Sequence, residues 1–490
     1  MILEILSHNF HYEMENLCRV FYPFEKIEIA HEPSVNRDGI VVSTKLVESE
    51  NGARLFAGFF KGGRAIKSEK FVEKDIDFSN NCELNMAIAL FEVLLKATDY
   101  VPSWGILTGV RPSKLMTSLI STMGADNAQK YFKEKLLVSP EKTKLAYSVA
   151  NAEKKIIETS SPNSLSLYIS IPFCPTRCSY CSFVSHSITN PNAKKLVPLY
   201  VEKLAHEIEI TGEYASSLGL RLESIYWGGG TPTAISADEI DLLCRAINNS
   251  FNLKQCREYT VEAGRPDTIT EEKLCVLKQN GISRISINPQ SFNNDVLKNI
   301  GRIHTAEKTV EALEMARSMG FGNINMDLIA GLPGDTVDSL GISVDTAVAR
   351  NPENITVHTL ALKRSSTLVT GGGKITGGDI TSEMLDIAQN KLLEKGYSPY
   401  YMYRQSRSLG NLENVGWCKQ GYECLYNVFM MEECHTVLAA GAGAVTKLKQ
   451  PSGQYIERIF NFKYPYEYIS RFDELMDRKK RITSFYYSYK

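Results

Sequence analysis

Residues 167–181, LYISIPFCPTRCSYC, join a short apolar β run to three cysteines, Cys174, Cys178 and Cys181, crowded into eight residues. Their reading decides the fold, because the run LYISI (167–171) opens a regular alternation. Further short apolar runs follow at SIYW (224–227), YTVEA (259–263), RISI (284–287), INMDLIA (324–330) and ITVHTL (355–360). Between them lie helix candidates such as LVPLYVEKLAHEIEITGEYASSL and AEKTVEALEMARSMG. Six strand–helix alternations imply parallel strands with both sheet faces covered. Six units fall short of the eight that close a full barrel, so an open α/β sheet, a partial (β/α)6 barrel, is expected.

Working outward, residues 1–164 read as an N-terminal α+β domain with a helical connector, ending at the break TSSPNS (159–164). The barrel region covers 165–370. After Gly371, Gly372 and Gly373 the composition shifts, and 371–490 reads as a mainly helical, substrate-side domain with the tyrosine-rich run YSPYYMYRQ.

The composition narrows the class. The 490 residues are 43% hydrophobic, with 55 basic and 56 acidic side chains, a net charge of -1 that advertises neither nucleic acid nor an anionic membrane as partner. No apolar run reaches the ~18 residues of a membrane span, and the N-terminus lacks a secretory pattern. A cytoplasmic protein is expected. Of 11 cysteines, those outside the cluster are scattered singly, unlike a secreted disulfide framework, and read as buried small apolar side chains.

Taken alone, the cysteine run leaves three readings open. Cys174, Cys178, Cys181 and His186 form a C-x3-C-x2-C-x4-H series that zinc accepts, three thiolates suit an iron–sulfur cluster, and a redox dithiol is the third. Position argues for the cluster, since the thiols follow a parallel strand where α/β folds place their chemistry. Three thiolates hold three irons of a [4Fe–4S] cube and leave the fourth for a small chelating molecule. The turn WGGGTPT (227–233) ends the next strand, where glycines open the backbone to a polar ligand.

These motifs resemble the radical S-adenosylmethionine (SAM) superfamily, and within it the oxygen-independent coproporphyrinogen III oxidases and their relatives. LTGVRPSKL, YYMYRQSRSLGNLENVGW and YNVFMMEECHTVLAAGAGAVTK are similar to the HemZ branch, the coproporphyrinogen dehydrogenases. The resemblance implies a [4Fe–4S] cluster on Cys174, Cys178 and Cys181. It also implies a SAM site of Tyr168, Tyr180, Gly229, Gly230, Thr231, Glu262, Gln290, Arg302, Asp327 and Ala361, with Tyr168 also on the catalytic side. One SAM is implied, or two as proposed for the oxidases proper. The site chemistry agrees: a carboxylate for polar hydrogens, a guanidinium for the SAM carboxylate, backbone for the amino group and base.

The implied reaction starts when a donor such as flavodoxin or ferredoxin reduces the cluster. SAM is cleaved, and the deoxyadenosyl radical takes a hydrogen from a propionate of coproporphyrinogen III. Two such events, each losing CO2 and an electron, give the two vinyl groups of protoporphyrinogen IX in heme biosynthesis. A pocket for so many carboxylates should present cations, and Arg404 and Arg407 are the candidates. The chain departs from the oxidases at Ser170, where they carry histidine, and at Phe183, where they carry a fourth cysteine. CSF instead resembles the heme-trafficking branch. Heme binding or delivery, with His304, His358 and His435 as candidate ligands, is therefore the alternative, alongside a radical reaction on another tetrapyrrole or substrate.

Overall fold

The computed structural model describes residues 1–34, 39–183, 185–363, 366, 368, 376–405 and 407–489. They gather into two compact units. The first comprises Met1–Ser148, Gly377–Ser382 and Met402–Glu413; the second comprises Val149–Thr376, Glu383–Tyr401 and Asn414–Lys490. The first division thus falls at Ser148/Val149 and not at 164/165. The break TSSPNS is fastened to the second unit: Ser160 Oγ meets His435 Nδ1 at 2.7 Å, and Arg257 Nη1 donates to Thr159 Oγ1 at 2.9 Å. The boundary expected at Gly371–Gly373 lies outside the described residues, and the chain beyond it is shared between the two units.

In the first unit, strands β1 (Ile2–Leu6), β2 (Glu28–Ala30), β3 (Val41–Ser49), β4 (Gly52–Lys61) and β5 (Arg64–Glu73) form a sheet in the order β2-β1-β3-β4-β5. Helix α1 (His11–Phe21) links β1 to β2. The β4–β5 turn is Gly62-Gly63, both at positive φ, as a two-residue type I′ hairpin requires. Helix α2 (Phe78–Thr98) contributes Met86, Ala89, Leu90, Val93 and Leu94 to the core. Helices α3 (Pro112–Met123), α4 (Ala125–Glu134) and α5 (Pro140–Ile157) follow, and α5 runs across the division between the units.

The second unit is built on the expected parallel strands: β6 (Ser164–Ile171), β9 (Arg221–Gly229), β10 (Glu258–Gly264), β11 (Arg284–Ile287), β12 (Ile324–Ala330) and β13 (Asn354–Thr359). A pair of short strands, β7 (Phe173–Cys174) and β8 (His186–Ser187), lies between β6 and α6 (Pro191–Ser217). The crossover helices α7 (Ala237–Ser250), α8 (Glu271–Gln279), α10 (Ala306–Ser318) and α11 (Val337–Ala349) each begin at a Ser or Thr cap whose side chain accepts a backbone N–H of the first turn. Helix α9 (Asn294–Asn299) begins at Asn293, and α7 has the full Ser236/Glu239 capping box.

Register sorts the strand side chains. Tyr168 pairs with Tyr226, Tyr226 with Thr260, Thr260 with Arg284, Glu262 with Ser286, Ser286 with Asn325, and Asp327 with Thr356. Side chains alternate along a strand and match across a parallel pair, so these polar residues line one sheet face while apolar ones such as Trp227, Val261 and Ile285 take the other. A polar lining thus runs up to the carboxyl ends of the strands.

Residues beyond 376 supply helices α12 (Gly378–Glu394), α13 (Leu425–Glu432), α14 (Pro465–Ser470), α15 (Phe472–Lys479) and α16 (Arg481–Tyr487). They also supply strands β14 (Ser398–Arg404), β15 (Glu413–Cys418), β16 (Thr436–Ala440), β17 (Val445–Lys449) and β18 (Ile456–Phe460). The sheet order is β14-β15-β13-β12-β11-β10-β9-β6-β16-β17-β18. The run YSPYYMYRQ therefore contains an edge strand. On the other side, β16 pairs in parallel with β6.

A buried ion pair locks this extension. Lys479 Nζ on α15 sits 2.8 Å from Glu207 Oε1 on α6, and Glu207 also accepts from Gly441 N at 2.7 Å, Asn461 Nδ2 at 2.7 Å and Tyr468 Oη at 2.6 Å. Every acceptor direction is filled, which makes an ion pair tolerable at 0–1% exposure. Of the scattered cysteines, Cys18, Cys82, Cys244, Cys418 and Cys424 are buried, while Cys256, Cys275 and Cys434 are partly exposed. Among the described residues, no helix is long and apolar enough to cross a membrane.

Candidate cluster and nucleotide site

The three cysteines leave β6 through Pro172 and Phe173 into a loop pinned by backbone bonds. His186 N donates to Pro172 O at 2.8 Å, Ile188 N to Cys174 O at 2.9 Å, Cys181 N to Cys178 O at 3.2 Å and Ser179 N to Ile300 O at 3.0 Å. Cys178 is buried; Cys174 and Cys181 are partly exposed. Burial, followed by the nearby Cys178 and Cys174 sulfurs, pushes the Cys181 thiol up to about 11, offset in part by the Phe183 backbone and Arg302. Two donors aim at sulfur: Thr231 Oγ1 lies 3.6 Å from Cys174 Sγ, and Arg265 Nη1 lies 4.0 Å from Cys178 Sγ. Donors to sulfur and a cation beside it suit thiolates in an iron–sulfur cluster.

Among the described residues no three His, Cys, Asp or Glu side chains, the three cysteines included, converge on one metal ion. His186 instead lies edge-on to Tyr464, with ring centroids 6.4 Å apart.

The glycine turn presses against the base of the cysteine loop. Gly230 N donates to Ile171 O and Thr231 N to Phe173 O, both at 2.8 Å. A Cβ on Gly230 would lie 2.5 Å from the Phe173 carbonyl oxygen, and Gly229 holds φ +102. Glycine is therefore needed at both positions, one for close approach and one for its dihedral.

Next to this turn stand two carboxylates. Glu262 accepts a hydrogen bond from Tyr226 Oη, and a Cβ on Gly228 would lie 3.3 Å from both Glu262 Oε2 and Tyr168 Oη. Burial pushes the Glu262 carboxyl up to about 7; the Tyr226 bond opposes this and Asp327 adds to it. Burial would also raise Asp327, but the His358 ring at 3.7 Å and Asn325 Nδ2 at 2.8 Å hold it below the usual value. His358 is raised in turn: burial would lower it, and Asp327 outweighs that. Tyr168 is pushed up by burial and by Glu262, and stacks near Tyr226 and Tyr426 at 6.5 and 6.1 Å.

Arg302 donates to Tyr180 Oη at 3.1 Å and to the Asn288 carbonyl at 3.4 Å, tying the β11 side to one of the two residues between Cys178 and Cys181. Gln290 holds φ +68 and bridges to β12, its N–H donating to Asp327 O at 2.9 Å. Gln290 Oε1, Asn288 Oδ1 and Arg302 Nε are buried without a protein partner, as befits groups awaiting a polar ligand. Ala361 lies just past β13, half-buried, its carbonyl accepting from Lys363 N at 3.1 Å. The cysteine loop, the glycine turn, Gln290 and Ala361 follow the carboxyl ends of parallel strands, while Tyr168, Glu262 and Asp327 stand within theirs on the polar face.

The two substrate-side arginines belong to the first unit. Arg404 is buried over the Trp104 ring with its centre 5.1 Å from the centroid, and it donates through Nε and Nη2 to the Gly109 carbonyl. Burial pushes it down to about 9. Arg407 is exposed, at φ +68. Of the histidines, His435 meets Ser160 and Ser166 hydroxyls at 2.7 and 2.8 Å, while neither ring nitrogen of buried His304 has a hydrogen-bond partner, Asp267 standing 3.6 Å from its Nδ1.

Tyr226, Asn325 and Arg265 were not named from sequence. Tyr226 and Arg265 lie inside or beside the motifs SIYWGGG and TVEAGRPD, but only the strand register reveals what they touch.

Comparison with known proteins accounts for this arrangement. A model of the radical SAM superfamily matches residues 168–347. The structure is similar to coproporphyrinogen III oxidase HemN from Escherichia coli, a radical SAM enzyme, with a TM-score of 0.52 at 23% identity over 67% of this chain and 73% of that one. This is a radical SAM fold, and the superfamily implies a [4Fe–4S] cluster and SAM as cofactors. The oxygen-independent coproporphyrinogen-III oxidase-like protein HemZ of Bacillus subtilis (strain 168) is 38% identical over 479 residues, 96% of this chain and 94% of its own. The chain belongs to the HemZ-like family. It is also 30% identical to the heme chaperone HemW of the same organism, over 61% of this chain and 77% of that one.

Proposed function

We propose that this chain is a radical SAM enzyme of heme biosynthesis that converts propionates of coproporphyrinogen III to vinyl groups, giving protoporphyrinogen IX. The observation that carries the reading is the pairing of a three-cysteine loop with buried, unfilled polar atoms on Gln290, Asn288 and Arg302. Full-length similarity to a coproporphyrinogen-III oxidase-like relative supports the substrate class. Each conversion removes one hydrogen atom, one electron and CO2 from a propionate.

The cluster and SAM, when bound, supply the hydrogen-abstracting oxidant. The chain's own residues hold and aim them. Cys174, Cys178 and Cys181 are the cluster ligands. Glu262 and Asp327 accept polar hydrogens of SAM, Arg302 donates to its carboxylate, and the open backbone of Gly229–Thr231 receives the amino group and base. Gln290 and Ala361 complete the enclosure, and Tyr168 and Tyr180 pack beside the reacting centre.

A second reading, heme binding or delivery, is favoured by two features. Ser170 stands where the oxidases carry histidine, its Oγ donating to Ala442 O at 2.8 Å, and Phe183, 66% exposed, replaces their fourth cysteine. Anaerobically reconstituted protein given SAM, reductant and coproporphyrinogen III separates the two. The enzyme reading expects deoxyadenosine together with a porphyrin lighter by two CO2 and four hydrogens. Tight heme binding without that product supports delivery.

A further inference from the structure

Three residues past Glu262, Arg265 reaches into the cysteine loop. Its Nη1 donates to Thr176 Oγ1 at 2.7 Å and to the Thr176 carbonyl at 3.3 Å, and stands 4.0 Å from Cys178 Sγ. The rest of the guanidinium is gripped by one carboxylate: Nε donates to Asp267 Oδ1 at 3.0 Å and Nη2 to Oδ2 at 2.9 Å. Asp267 is backed by His304 Nδ1 at 3.6 Å, and Arg265 is only 3% exposed. Thr176 lies between Cys174 and Cys178, so this clamp holds the middle of the ligand loop.

A clamp alone needs only the Thr176 bonds. The fork on Asp267 does more, fixing the orientation of a group that stays charged at every physiological pH. In a buried site its field is poorly screened. Adding an electron makes a cluster more negative, so a fixed cation and an N–H donor beside a ligand sulfur favour the reduced form.

We propose that Arg265 is a positioning residue that orders the cysteine loop and raises the reduction potential of the [4Fe–4S] cluster by holding its guanidinium against Cys178. This rests on Cys174, Cys178 and Cys181 being the ligands. Asp267 is its orienting partner. The pair also links the strand that carries Glu262 to the loop that carries the thiols.

The test uses full-length wild type, R265K, R265M and D267N, loaded anaerobically, with iron counted per chain and the midpoint potential read by EPR-monitored redox titration. R265M is expected to titrate at a more negative potential than wild type at equal iron content. R265K should fall between them, whereas D267N, which removes a negative charge along with the fork, should not titrate below wild type. If R265M does not fold, R265K carries the comparison. Equal midpoints across the folded, loaded variants overturn the proposal. A wild type that binds no cluster overturns the ligand assignment instead.

Discussion

Tyr226 on β9 donates its hydroxyl hydrogen to Glu262 on β10, so one strand end supplies the carboxylate and its neighbour sets how that carboxylate behaves. The bond opposes the upward push of burial on Glu262, whose pKa still reaches about 7. Removing the donor in Y226F should therefore raise the Glu262 pKa further. SAM affinity at pH 7 should fall about tenfold, the worth of one hydrogen bond to a charged group, as isothermal titration with SAM would measure. The midpoint of the affinity's pH dependence should move to higher pH.

Glu262 also links stability to pH in the unliganded protein. Its folded pKa lies above its unfolded value of 4.5, so the native state holds the proton longer. The contribution is fully present below pH 4.5 and is lost as pH rises to about 7. E262Q should remove that part of the slope in urea unfolding measured from pH 4.5 to 8 while abolishing SAM binding.

Gly230 leaves no room for a side chain beside Phe173. The G230A Cβ, 2.5 Å from a backbone oxygen, must push the turn away from the cysteine loop. A stability loss of about 1–3 kcal/mol is expected from the overpacking, with weaker SAM binding at unchanged iron content. Thermal unfolding and SAM titration check both.

Ser170 is enclosed as well. A Cβ on Gly229 would lie 2.9 Å from its Oγ, and one on Gly441 would lie 3.1 Å from its Cβ. Introducing the oxidase-type side chain in S170H should destabilise the fold by about 1–3 kcal/mol and should not raise porphyrinogen turnover. A stable variant with faster turnover would show that the serine is merely a lost catalytic group.

Truncating one partner of the Glu207–Lys479 pair leaves the other charged and buried. K479M should cost about 3–5 kcal/mol in denaturant unfolding, whereas the double variant E207L/K479M should recover much of that loss.

The six parallel strands were legible in the chain because each is a short apolar run followed by a longer helical stretch; the thiols and Gln290 follow strand ends, while Glu262 and Asp327 stand inside β10 and β12. The strands β14–β18 were not legible. SPYYMYR is buried along most of its length as part of a sheet edge, and its tyrosines give no two-residue alternation to betray a strand. The charge of Arg404 suggested a carboxylate partner, and in the unliganded chain its Nε and Nη2 donate to the Gly109 carbonyl. Tyr226 and Arg265 needed cross-strand and strand-to-loop distances that no single stretch of sequence encodes.

The most direct measurement is the EPR spectrum of anaerobically reconstituted, dithionite-reduced protein before and after SAM, alongside C174A, C178A and C181A. The account predicts a [4Fe–4S] signal that SAM changes in the wild type and that each alanine variant loses. Zinc in place of iron, or a wild-type spectrum indifferent to SAM, would contradict it.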